Sequence, residues 1–173
     1  MQIFIETDRL ILREIVPSDY PGMFELDADP EVHNYLGNCP IQNTEQARQN
    51  IDFIRKQYLE NGIGRWALVT KETNNFIGWA GLKLITEEIN NQTNYYDLGY
   101  RLIRKYWGKG YATEAASASI AYGFNRLKLK EIFGMADTRN MDSRHVLEKA
   151  GMKYIETFDY KGIPHCWFNL SDS

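Results

Sequence analysis

Tyr95-Tyr96-Asp97-Leu98-Gly99-Tyr100-Arg101-Leu102-Ile103, running on through Lys105-Tyr106-Trp107-Gly108-Lys109-Gly110-Tyr111-Ala112-Thr113-Glu114-Ala115, is the stretch whose reading decides the fold. β-Favouring aromatic and aliphatic residues dominate Tyr95 to Ile103, and Tyr96, Leu98, Tyr100 and Leu102 alternate onto one face, which predicts a strand. A polar turn with two glycines follows. Ala112, Ala116, Ile120, Phe124 and Leu127 then recur at three- and four-residue steps, which predicts a helix. The first turn of a helix carries unpaired N–H groups and the positive end of the macrodipole, so strand, glycine turn and helix start together make an anion site. Gly108 and Gly110 allow φ > 0 and a close approach of main chain to ligand oxygens, and Lys109 and Lys105 add positive charge. The plainer reading is that the two glycines only turn the chain from strand to helix.

Three phosphate-binding patterns compete for these residues. A P-loop needs Gly-Lys-Ser/Thr, and Gly110 is followed by Tyr111, so that pattern fails. A dinucleotide fingerprint needs a third Gly or Ala where Thr113 stands and an acidic residue at the end of the next strand, whereas Glu131 sits at its start. The third pattern fits: Trp107 to Ala115 is similar to the pyrophosphate loop of the GCN5-related N-acetyltransferases (GNAT), in the branch that includes the ribosomal-protein N-terminal acetyltransferases. Thr7-Asp8-Arg9-Leu10-Ile11-Leu12-Arg13 and Asn140-Met141-Asp142-Ser143-Arg144-His145-Val146-Leu147-Glu148-Lys149-Ala150-Gly151-Met152 resemble the same branch, in the family's order, and extend the likeness over nearly the whole chain.

Length and composition agree with such a protein. A chain of 173 residues is a comfortable single domain that buries about 70% of its unfolded surface. With 43% hydrophobic and 25% charged residues it is an ordinary globule. A net charge of −3 gives no general attraction to nucleic acid, and none is expected as a partner. Met1 to Glu6 lacks the basic start and apolar core of a signal peptide, and no apolar run is long enough to span a bilayer, so a cytoplasmic protein with no membrane partner is expected. Cys39 and Cys166 are expected to be free thiols, and no Cys/His spacing suggests a metal. His165 adjoins Cys166, but strand neighbours point to opposite faces, which argues against a catalytic pair.

Along the chain, Arg9 to Ile15 alternates as a first strand, Pro17-Ser18-Asp19 starts a helix to Asp27, and Thr44 is expected to cap a helix ending at Asn61-Gly62. Ile63 to Val69 and Phe76 to Ile85 read as hairpin strands, Glu131 to Thr138 as a strand after the central helix, and Asn140 as the cap of a helix ending at Ala150-Gly151. Tyr154 to Tyr160 and Ile163 to Leu170 read as a terminal hairpin around Lys161-Gly162. One mixed α/β domain over residues 1–173 follows, with a twisted mixed sheet of about seven strands flanked by about four helices.

The resemblance implies more. In the family, the strands ending near Ile103 and beginning near Glu131 run parallel and splay apart, and the pantetheine arm of acetyl-CoA pairs with the chain at Leu102 and Ile103. Residues Trp107, Gly108, Lys109, Gly110, Tyr111, Ala112 and Thr113 then hold the diphosphate, and Asn140 resembles the residue that bonds the arm from the other side. The implied reaction is attack of a primary amine, from a small molecule or a peptide N-terminus, on the acetyl thioester. An alkyl ammonium has a pKa of about 10, so a base or water path must remove its proton. Asp97 stands where the branch usually carries Glu and is the candidate base; the alternative is a carboxylate that orients its neighbours. It lies about 16 Å along an extended strand from Leu102, so a bend and a water relay are expected. The usual Tyr acid falls at Leu147, leaving Ser143 as the nearest hydroxyl to support the thiolate, or else as a helix-start hydroxyl bonding its own backbone. A binding module without turnover is the second reading. Family likeness also allows a homodimer.

Overall fold

The computed structural model describes residues 1–172. Its strands are β1 (Ile3–Glu6), β2 (Leu10–Arg13), β3 (Trp66–Thr70), β4 (Phe76–Ile85), β5 (Tyr95–Leu102), β6 (Glu131–Asp137), β7 (Lys153–Tyr160) and β8 (Ile163–Ser171). Its helices are α1 (Tyr20–Asp27), α2 (Thr44–Asn61), α3 (Tyr111–Asn125) and α4 (Met141–Lys149). The strands form one sheet in the order β1-β2-β3-β4-β5-β6-β8-β7. Every neighbouring pair is antiparallel except β5 and β6, which run parallel because the intervening chain crosses over as α3.

The sheet has eight strands rather than about seven. The additional one, β1, is a four-residue edge strand paired on one side only. Its sequence carries no turn signal of its own, and what secures it is tertiary: Phe4 stacks on Trp66 with ring centroids 5.3 Å apart. The start of α2 also differs by one residue. Asn43, not Thr44, is the cap, its side-chain oxygen accepting from Gln46 N at 2.9 Å. Gly62 ends that helix in the left-handed region.

Two layers of helix bury the two faces of the sheet. Leu10, Leu12, Leu68, Leu82, Leu98 and Ile132 turn to one face and meet Ala115, Ala116 and Ile120 of α3 and Leu147 of α4. On the other face Ile15, Ala67 and Ile103 receive Met23 and Leu26 of α1 and Ala47, Ile51 and Ile54 of α2. A third cluster, Ile85, Ile89, Tyr95, Phe133 and Trp167, comes from strands and one connection without a helix over it. Met135, Phe158 and Tyr160 pack against it and keep its five residues buried. Among the described residues no helix is long and apolar enough to cross a membrane.

The end of β5 is fixed by an unusually close backbone approach. Gly78 of β4 lies opposite Leu102 with φ 149°, and a Cβ there would stand 2.1 Å from the Arg101 carbonyl oxygen. Neither atom can move without breaking the ladder. Gly78→Ala is therefore expected to lower the unfolding free energy by about 3 kcal/mol, measured by urea denaturation; a loss of under about 1 kcal/mol would show that the strand pair relaxes freely.

Candidate active site

The site begins where β5 and β6 part. They share a single bridge, Asp97 to Phe133, although β5 runs on to Leu102 and β6 to Asp137. Ile103 N donates to Ile77 O of β4 at 2.9 Å, so by strand alternation the main-chain groups of Tyr100 and Leu102 face β6. Thr138 N donates to Pro164 O at 3.1 Å, which by the same rule turns Met135 towards β5. Beyond the bridge these groups have no strand to pair with. The Leu102 carbonyl accepts from the Trp107 indole at 2.8 Å, leaving the Leu102 N–H as the inward donor. Ile103 is a different case: its N–H serves Ile77 and its carbonyl accepts from Tyr106 N at 2.9 Å. Both of its main-chain groups are engaged within the chain, while those of Tyr100 and Leu102 face the gap.

Next to this notch, α3 presents its first turn. Gly108 and Gly110 both have positive φ, 72° and 81°, as a tight turn into a helix requires. Gly110 caps α3 with no side-chain hydrogen bond, so the N–H groups of Tyr111, Ala112 and Thr113 have no acceptor within the helix. Nothing lies within 4 Å of a Cβ placed on Gly108. Trp107, Gly108, Lys109 and Gly110 are exposed around this opening. Lys105 is turned away, pairing with Glu25 at 3.3 Å.

The N-terminal motif proves to be the loop's support. Thr7 Oγ1 donates to Glu114 Oε2 at 2.8 Å and Arg9 Nε donates to Glu114 Oε1 at 3.0 Å. Arg9 Nη1 donates to the Lys109 carbonyl at 2.8 Å, and its guanidinium lies 4.4 Å over the Tyr111 ring. Charge-assisted bonds of this kind hold geometry as well as energy. The Leu10 and Leu12 side chains between them are fully buried, and Arg13 makes a two-pronged pair with Asp19 at 2.8 Å. Sequence reading found the motif but not this role, since its partner is over a hundred positions away.

On the α4 side, Asn140 caps the helix, its side-chain oxygen accepting from Ser143 N at 3.2 Å. Ser143 Oγ lies 3.0 Å from the Tyr100 hydroxyl, which also donates to the Ser143 carbonyl at 2.8 Å. Tyr100 therefore struts the notch from β5 to α4, with its phenol pushed up by burial. Its alternation with Leu98 and Leu102 places it on one face of the strand and carries no sign of this partner. Leu147 is buried, its side chain 3.1 Å from where a Gly134 Cβ would stand. It fills core and offers no proton.

Asp97 faces the opposite side of the sheet. Its carboxylate accepts from Arg65 Nη2 at 2.6 Å, while Arg65 Nη1 bonds the carbonyls of Gly81 and Asp97, each at 2.7 Å. Burial pushes the Asp97 carboxyl above the usual range and the Arg65 guanidinium opposes that push. Asp97 and Ser143 are thus on different faces, and only the parted strands connect them. Arg65 opens onto a cleft of about 280 Å³ whose walls include Asp27, Trp79, Lys83 and Arg101. Asp27, almost wholly buried, accepts from Arg101 and from Asn50, both at 2.9 Å. Cys39 and Cys166 are free thiols. His145 is exposed, and His165 is buried with Nδ1 2.9 Å from Ile163 O.

A profile for the acetyltransferase (GNAT) domain matches residues 9–153. The chain belongs to the GNAT acetyltransferase family. As a GNAT protein it is an N-acetyltransferase, and its relatives agree: it is 36% identical over 141 residues to the uncharacterized N-acetyltransferase p20 of Bacillus licheniformis, covering 82% of this chain and 77% of the relative. Its fold superposes on RimL, a ribosomal-protein α-N-acetyltransferase solved with coenzyme A, with a TM-score of 0.82 at 16% identity, covering 98% of each chain. It also superposes on the spermidine N-acetyltransferase of Vibrio cholerae, solved with coenzyme A and spermine, with a TM-score of 0.75 at 18% identity, covering 95% of this chain and 96% of that one. Those two likenesses concern the fold alone.

His33 carries a measurable consequence of the buried network at Asp27. It is 6% exposed, 3.9 Å from Asp27 Oδ1, and neither ring nitrogen has a hydrogen bond. Burial, then Arg101, pulls its pKa below the ordinary value. Below about pH 6.5 the unfolded chain takes up a proton there that the folded chain refuses, so stability falls with pH in that window. His33→Leu is expected to lose less stability than the wild type between about pH 7.5 and 5.5 in urea melts; equal losses would assign the pH dependence elsewhere.

Proposed function

We propose that this chain, acting as one catalytic domain in the cytoplasm, moves an acetyl group from acetyl-CoA to a primary amine by direct attack in a ternary complex. The observation that carries the reading is the single Asp97–Phe133 bridge, which leaves main-chain donors turned inward beside an uncapped helix start. A thioester carrier with a diphosphate and an amide-bearing arm matches both halves of that opening. Acetyl-CoA supplies the activated acetyl group. The residues Trp107 to Thr113 bind the diphosphate through helix N–H groups, with Lys109 adding charge. The Leu102 and Tyr100 N–H groups face the arm and the thioester carbonyl, where fixed donors stabilise developing negative charge. Asn140 borders the arm from the α4 side, and Ser143, held by Tyr100, supports the departing thiolate.

Asp97 serves as the proton acceptor through water. Its burial favours taking a proton, and Arg65 fixes its orientation. The cleft on its face receives the acceptor, so the amine and the carrier approach from opposite sides of the sheet. The competing reading is a binding module without turnover, and it draws on the Arg65–Asp97 pair and the apolar Leu147.

Two measurements test these assignments. Gly110→Val places a branched side chain at φ 81°, where a Cβ already lies 3.3 Å from Arg9 Nη2. It is expected to weaken acetyl-CoA binding at least about tenfold by calorimetry, and unchanged affinity would remove the loop from the site. Asp97→Asn is expected to lower the rate of amine-dependent thiol release about 100-fold with acetyl-CoA affinity retained. Retention of the wild-type rate would make Asp97 a bystander, and a wild type that binds acetyl-CoA but releases no thiol with any amine would be a binding module.

A further inference from the structure

The acceptor cleft carries a charge pattern that narrows the substrate. Arg65, Lys83 and Arg101 line it, with Asp27 the carboxylate among its walls and Asp97 just beneath. Both carboxylates are already taken. Asp97 is held by Arg65 at 2.6 Å, and Asp27 by Arg101 at 2.9 Å with Asn50 on its other oxygen. Lys83 is different: it is half-buried, its Nζ sits 5.4 Å over the Phe53 ring, and among the described residues no carboxylate is in contact with it, although Asp97 stands opposite it across β4 and β5 and Asp97 and Glu87 both act on its charge. The guanidiniums of Arg65 and Arg101 both lie near the Trp79 ring, at 5.2 and 5.1 Å. The lining of the cleft, in a chain whose net charge is −3, therefore holds Arg65, Lys83 and Arg101 against the single carboxylate of Asp27, with Asp97 and Glu87 outside the lining.

We propose that the acceptor is an amine that also carries a carboxylate, and that Lys83 is the group that receives it. This rests on the acyl-transfer reading and specifies its substrate. A half-buried ammonium with no carboxylate in direct contact gains from an anion that enters the cleft, because the surroundings screen the pair poorly. Burial and then Arg65 pull the Lys83 pKa down against the opposing pull of Asp97 and Glu87, and an arriving carboxylate adds to that opposition. The same cations disfavour a second ammonium and lower the pKa of the attacking amine, since like charges favour the neutral form. Asp27, the carboxylate in the cleft lining, is already held by Arg101 and Asn50, so a polyamine's second ammonium gains little from it.

The test uses acceptors that differ only by the carboxylate: lysine against cadaverine, arginine against agmatine, tyrosine against tyramine. Thiol release from acetyl-CoA is measured for each pair with the wild type, Lys83→Met and Lys83→Glu, with acetyl-CoA affinity as the check that each variant is folded. The wild type is expected to favour the carboxylate-bearing member by at least about tenfold in kcat/KM. Lys83→Met is expected to erase most of that preference and Lys83→Glu to reverse it, with acetyl-CoA affinity within about threefold of the wild type. Turnover that favours the decarboxylated amines in the wild type, or a preference that survives both substitutions, overturns the proposal while leaving acyl transfer standing. Thiol release with no member of any pair overturns the proposal, and acyl transfer itself falls only if peptides with free N-termini also give no release.

Discussion

A parallel strand pair that stops after one bridge leaves main-chain groups in the interior of a sheet with no partner, and the rest of this molecule is arranged around that fact. Tyr100, Leu102 and Met135 turn their N–H and C=O groups into the gap, where an unpaired buried amide costs about as much as a lost hydrogen bond. The gap stays open because its walls are braced from outside. Trp107 ties the Leu102 carbonyl, the Tyr100 hydroxyl reaches α4 at Ser143, and Gly134 lets Leu147 pack close under β6. Such a notch is ready to accept an added extended segment with amides of its own.

The open helix start depends on a second constraint, the position of α3 relative to the sheet. Arg9 and Thr7 converge on Glu114 in the first turn, and Arg9 also grips the Lys109 carbonyl in the loop itself. An acidic side chain at a helix start is favourable for the dipole, but here it also leaves the backbone amides to the outside, because Glu114 bonds the N-terminal segment instead of capping its own helix. The amides remain available to an anion. The N-terminal motif thus serves the site without lining it, with Leu10 and Leu12 anchoring the segment in the core and Arg13 locking it to Asp19.

The opposite face of the sheet sets the electrostatics of the acceptor side. Buried ion pairs such as Arg65–Asp97 and Arg101–Asp27 add little net stability for their desolvation, yet removing one partner is strongly destabilising. They fix where charge sits. Lys83 makes no close ion pair and stands opposite Asp97, while the Trp79 ring lies near both guanidiniums. In the proposed reaction carrier and acceptor meet from two faces through one opening, which keeps the carrier's anionic diphosphate apart from the cationic lining of the cleft.

Much of this was legible in the chain itself. Alternation along Tyr95 to Leu102, the paired glycines at 108 and 110 and the three- and four-residue apolar steps after them required a strand, a left-handed turn and a helix, because those periodicities and φ values are local properties. The family likeness supplied the splay and the loop's ligand. Local pattern could not reveal β1, whose pairing rests on a stack between Phe4 and Trp66, nor the pairing of Arg9 with Glu114, of Arg65 with Asp97 or of Tyr100 with Ser143. Nor could it show that both main-chain groups of Ile103 are engaged. Those outcomes depend on which residues the sheet order and the helix crossover bring together, and sequence distance carries no information about such contacts: the sequence determined the elements and their chemistry, and only the tertiary structure decided which charges were neutralised and which were left to meet a ligand.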